Sequence, residues 1–123
     1  MIRIFISAAR PGYTPEQLAG RHAELSQALN LRGIWPEHVN GCYGGQTETS
    51  LTFEADLSPY DPESFILELL KKFDQDWALI VQGGLAYFLD QSNRLQYVGR
   101  FIQHEKPLGD YSQWRGSYWS IAK

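Results

Sequence analysis

The run from residue 47 to residue 57 alternates strictly. Leu51, Phe53, Ala55 and Leu57 fall on one side, and Glu48, Ser50, Thr52 and Glu54 on the other. A period of two is the pattern of a strand with one buried face and one more polar face. Directly ahead of it, GCYGGQTETS (residues 41–50) supplies turn glycines, so residues 38–43 pair with the long strand as a hairpin. That commitment to an antiparallel sheet requires an apolar partner for the face carrying Leu51 and Phe53.

Two segments supply it. Thr14-Pro15-Glu16-Gln17 is a capping box with proline at the first helical position, which opens a helix running to about Asn30. Leu18, His22, Leu25 and Leu29 recur along it at helical spacing. Asp61 and Pro62 open a second helix, with Phe65, Ile66, Leu69, Leu70 and Phe73 on its stripe. Residues 1–7 read as a first strand, with Ile2, Ile4 and Ile6 opposite Arg3, Phe5 and Ser7, and residues 77–82 as a fourth.

The element order β-α-β-β-α-β predicts an α+β, ferredoxin-like fold: an antiparallel sheet with both helices on one face. A length of 123 residues fits a single domain, with a core over about 1–82 and an extension over 83–123. The extension reads as a C-terminal β-hairpin (85–89 and 95–102), a loop over 106–115 and a short strand at 117–121. Apolar residues such as Phe5, Tyr87 and Phe101 occur where the helices do not reach, so the second face needs cover from the hairpin or from another subunit. A homo-oligomer is the expectation.

The formal net charge of -3 and the absence of a basic run argue against nucleic acid. The apolar start is too short, and too interrupted by Arg3, for a signal peptide or a membrane span. Cys42 is the only cysteine, so no intrachain disulfide forms and a cytoplasmic location is expected. His22, His38 and His104 lack metal-site spacing, and no metal is expected.

Tyr43 and Glu48 flank the glycine turn. Each has an ordinary reading, a cross-strand aromatic and a solvated charge. Alternation, however, puts Glu48 on the face away from the helices, where a covered carboxylate needs a partner. Asp74 and Asp76 follow the second helix, where acids oppose the helix dipole. Trp114, Tyr118 and Trp119 read as packing for the tail.

Taken in order, Ile6-Ser7-Ala8-Ala9-Arg10, Arg21-His22 ahead of residues 25–29, Gly41-Cys42-Tyr43, Thr47-Glu48 and FDQDWAL (73–79) form a recognisable set. With it the chain resembles the phage-encoded S-adenosylmethionine (SAM)-degrading enzymes, long called SAM hydrolases and now understood as SAM lyases. The likeness covers roughly residues 4–82, and the turn between tyrosine and glutamate is shorter than in those relatives. It implies a PII-like trimer of ferredoxin-like subunits with sites between neighbours, no metal and no cofactor. It also implies depletion of host SAM, an anti-restriction role. Carried over by position, it implies catalytic roles for Tyr43, Glu48 and Asp76, the last with aspartate where the family has glutamate. Substrate contacts would come from Ser7, Ala8, Ala9 and Arg10, together with Arg21.

The implied reaction is an attack by the substrate's own carboxylate on Cγ, giving 5'-methylthioadenosine and homoserine lactone. Two alternatives stand beside it: hydrolysis by a water activated by Glu48, and a non-catalytic PII-like nucleotide-binding regulator.

Overall fold

The structure is a computed structural model that describes residues 2–43, 45–55, 63–107 and 109–122; the side chains of Tyr43 and Glu63 lie outside that description. The elements are β1 (Ile2–Ile6), α1 (Pro15–Asn30), β2 (Glu37–Tyr43), β3 (Gln46–Ala55), α2 (Glu63–Lys72), β4 (Trp77–Gln82), β5 (Leu85–Asp90), β6 (Leu95–His104), β7 (Tyr111–Trp114) and β8 (Ser117–Ala122). The expected capping box is formed: the Thr14 side chain accepts from the Gln17 backbone N–H, and the Gln17 side chain accepts from the Thr14 N–H. Residue 57 of the expected third strand and the expected helix start at Asp61 and Pro62 lie outside the described residues.

The sheet is not the open ferredoxin-like one. All eight strands close into an antiparallel barrel in the order β1-β3-β2-β7-β8-β6-β5-β4, with β4 pairing back to β1. The physical reason lies at the two outer strands of the first four. An open sheet would leave a row of unpaired backbone groups along β2 and another along β4. Here β5 pairs with β4, and β7 pairs with β2 through Asn40, Gly41 and Cys42. The segment expected as loop over 106–115 thus contains the strand that completes the closure. The extension is four strands of the barrel wall, not an added hairpin.

Closure also answers what covers the second face. Ile2, Ile4 and Ile6 of β1 point outward into one core with Leu25 and Leu29 of α1 and with Ile66, Leu69, Leu70 and Phe73 of α2. Phe5 points the other way, into a lumen cluster with Val39 and Trp114, packed by Leu79, Val81, Phe101 and Trp119. Of the apolar residues behind the expectation of a covering subunit, Phe5 and Phe101 are therefore lumen residues, covered by the chain's own extra strands, whereas Tyr87 packs on the helix-side core.

One glycine is needed for the bend. Between β5 and β6 the register slips at Ala86/Tyr87, a β-bulge. Gly99 pairs with Ala86 there at φ 141°, and a Cβ on it would sit 2.4 Å from the Ala122 carbonyl oxygen.

Candidate active site

An eight-stranded barrel has a lumen just wide enough to be filled by side chains or to hold one small ligand. This one does both, at opposite ends. The lower end is filled by Trp114 and its neighbours. The upper end opens into a cavity of about 580 Å³, within the size range of small-molecule sites.

Strand parity builds its walls. From β1 come Phe5 and Ser7 just beyond it; from β3, Glu48 and Ser50; from β4, Trp77 and Leu79. The later strands add Phe88, Phe101, Ser112 and Trp119, and the rim carries Arg10, Pro11, Gln75, Asp76 and Asp110. The aromatics are paired. Trp77 stacks on Phe88 with ring centroids 4.7 Å apart, and Phe101 stacks on Trp119 at 5.1 Å and 9° between planes. Among the described residues, the acids lining the mouth are Glu48, Asp76 and Asp110, against one base, Arg10. Such a cavity suits a ligand with a flat apolar portion and net positive charge.

The rim loops are stapled to each other by side chains. Arg21 Nε donates to the Ala8 carbonyl at 2.6 Å, and its Nη2 donates to the Phe73 carbonyl. The buried Gln75 amide donates to the Ala9 carbonyl and to the Phe73 carbonyl, both at 3.0 Å. Arg10 Nη1 donates to the Asp74 carbonyl at 2.6 Å. The segment after β1 is thereby tied to the segment after α2, and both reach the cavity.

The sequence-derived residues separate accordingly. Glu48, Asp76, Ser7, Ala9 and Arg10 share the cavity wall. Ser7 Oγ accepts from the Ala9 N–H at 3.0 Å, so that N–H is already engaged. Ala8 is buried, with its carbonyl taken by Arg21. Arg21 is not among the lining residues; it holds the loop, with its guanidinium 4.6 Å from the Tyr13 ring centre. Tyr43 ends β2 opposite Gln46 in register, two positions along from the Gly41–Glu48 pair.

No site role for the stacked aromatics or for Gln75 follows from the sequence, although Gln75 and Trp77 stand in the recognisable set. An aromatic in a strand looks the same whether it fills a core or lines a lumen, so no local signal distinguishes Phe101 from Phe53.

The two helix-side histidines lie elsewhere. His22 Nε2 is 3.1 Å from His38 Nδ1, and burial together with the neighbouring His38 holds His22 below its ordinary pKa. Among the described residues no group of three or more His, Cys, Asp and Glu side chains is placed to hold a metal ion. No helix among them is long and apolar enough to cross a membrane.

The family model for S-adenosylmethionine lyases matches residues 4–122. The chain belongs to the S-adenosylmethionine lyase family. It is an enzyme that cleaves a carbon–sulfur bond, with SAM as its substrate. No curated protein shows a significant match. The match runs through the last strand, so β5 to β8 are part of the family's chain and the likeness does not stop near residue 82.

Proposed function

We propose that SAM binds in the upper cavity of the barrel and is cleaved there by its own carboxylate. An oxygen of that carboxylate attacks Cγ, and the Cγ–S bond breaks with its electron pair going to sulfur. The sulfonium becomes the neutral thioether of 5'-methylthioadenosine, and the remainder closes to homoserine lactone. No water enters and no proton moves in the bond-making step.

The observation that carries this reading is that Glu48 and Asp76, distant in sequence, line one cavity with two stacked aromatic pairs. The chain's task in such a reaction is to fold the substrate. Holding an internal nucleophile in attack geometry contributes several kcal/mol, up to about 7–11 in the best intramolecular cases. The lumen side, lined by Phe5, Leu79, Phe101 and Trp119, also keeps water from the two charges that cancel as the bond forms.

The acids bind rather than react. A carboxylate aimed at the sulfonium favours the ground state, because that charge disappears in the transition state. Glu48 and Asp76 therefore hold the ammonium and the orientation of the amino-acid end. Ser7, Ala8 and Ala9 form the loop beneath that end, and Arg21 keeps the loop in place from behind. The part given to Tyr43, a ring or hydroxyl near the sulfonium, rests on the family resemblance and is tested by Tyr43→Phe.

The deciding experiment is product analysis at early times in ¹⁸O-water. Unlabelled lactone as the first product supports the intramolecular route; ¹⁸O-labelled homoserine formed first means that Glu48 activates water instead. The resemblance further supports two biological readings. One is depletion of SAM in a bacterial host, measured by SAM levels and restriction after expression. The other is a homo-oligomer whose cavity mouths meet a neighbouring copy. Light scattering with an interface variant at the half-exposed Trp77 tests it, and a fully active monomer rules it out.

A further inference from the structure

Among the described residues that line the cavity, Arg10 is the single base, set against Glu48, Asp76 and Asp110. We infer that Arg10 anchors the α-carboxylate of SAM and exchanges Asp76 for it when substrate enters. The inference rests on the cavity being the substrate site.

Three features of Arg10 point to this exchange. Its Nη1 donates to the Asp74 carbonyl at 2.6 Å, which fixes where the guanidinium stands at the rim. Its ion pairs are long, 3.5 Å from Nε to Asp74 Oδ2 and 3.9 Å from Nη1 to Asp76 Oδ1. The second lies beyond hydrogen-bond reach, so Asp76 is attracted without being bonded. Its side chain is also one-third exposed (33%), so no buried pair must be broken for it to change partner.

A carboxylate offered in the plane of a guanidinium forms a charge-assisted, two-pronged pair, which the 3.9 Å contact does not supply. The exchange releases Asp76 to the ammonium on the same substrate carbon. One weak pair becomes two good ones, and the amino-acid end is read as a zwitterion. The carboxylate loses its charge as it attacks Cγ, so its contact with Arg10 is stronger in the ground state than in the transition state. Arg10 therefore contributes to binding and to selection of the carboxylate, not to the rate of the chemical step.

The test is steady-state kinetics with SAM on full-length Arg10→Gln and Arg10→Lys, beside binding of 5'-methylthioadenosine and of decarboxylated SAM followed by tryptophan fluorescence. Arg10→Gln is expected to raise KM for SAM at least about tenfold, the scale of a lost hydrogen bond to a charged group. The same variant keeps kcat within about threefold, and it binds methylthioadenosine within about twofold of the wild type. Decarboxylated SAM binds the variant no more weakly than the wild type, and Arg10→Lys falls between the two for SAM. An unchanged KM overturns the anchor. So does an equal loss of methylthioadenosine binding, which means that Arg10 only holds the loop. Glu48→Gln and Asp76→Asn in the same assay separate the two levels. If both leave turnover untouched, the site reading falls and the anchor with it; if they impair turnover while Arg10→Gln is silent, only the anchor falls.

Discussion

The two ends of the barrel use the same side-chain chemistry to opposite effect. At the closed end, two arginines meet two glutamates. Arg115 grips Glu37 with two nitrogens at 2.8 Å each, and Arg3 reaches Glu37 at 3.4 Å and Glu54 at 3.0 Å. Trp114 lies beneath both guanidiniums, 4.3 Å from that of Arg3 and 4.5 Å from that of Arg115. At the open end, among the described residues, three acids line the mouth with one arginine, whose pair to Asp76 is 3.9 Å long. Matched charge over a buried tryptophan caps a filled lumen; a surplus of acids among the described residues around an apolar hollow suits a cation. The difference supports the open end as the substrate end proposed above.

The largest expected effect is at the open end. Glu48→Gln lowers turnover by on the order of 10²-fold or more, the scale of a lost orienting contact, while leaving the melting temperature nearly unchanged. Glu37→Gln, the same change at the closed end, leaves turnover within about twofold. Turnover assays and thermal melts on both variants check this; equal losses of activity would erase the distinction between the ends.

Next in size is a change that both ends share. Gly99→Ala forces a Cβ against the Ala122 carbonyl at a backbone angle that suits glycine, and costs about 1–3 kcal/mol of stability. A denaturant titration measures it. Because Gly99 serves closure, its loss weakens the barrel as a whole; a neutral outcome means that the bulge is not needed for closure.

A smaller effect belongs to His22. Its folded pKa lies below the ordinary 6.5, so between those values the unfolded chain binds more protons than the folded one. Stability therefore falls as pH drops through 6.5 toward the folded pKa, and His22→Gln flattens that slope in melts taken from pH 8 to pH 5.

The smallest effect is at the closed end itself. The Arg115 hydrogen bond holds Glu37 below the ordinary carboxyl value of 4.5. Its contribution is present above pH 4.5 and is lost as pH falls from there through the folded pKa. The pair is exposed, so added salt shrinks the effect, and Glu37→Gln removes it without touching turnover.

Much of the lining of the candidate cavity is legible in the sequence, but unevenly. Alternation alone put Glu48 on the face away from the helices, and that face is the lumen. Asp76 stood out as an acid following a helix, and it lines the same cavity. The resemblance implies a substrate contact for Arg21; in the structure its guanidinium donates to the Ala8 and Phe73 carbonyls. Local pattern tells that an arginine is present, not which acceptor reaches it first.

The sequence by itself determined what depends on near neighbours along the chain. The capping box at Thr14 starts α1 because its partners are three residues apart, and the two-residue period of β3 sorts inside from outside because successive side chains alternate. The ordered residues over about positions 4–82 carry the family resemblance, and the family model bears it out over residues 4–122. Only the tertiary structure decided that the sheet closes. The pairings of β7 with β2 and of β5 with β4 satisfy two open edges at once, and the first joins residues about 70 positions apart, which no local pattern encodes. Closure is what turns Phe101 and Trp119 from strand aromatics into the floor of a cavity. It also makes a single mouth from residues near positions 10, 48, 76 and 110.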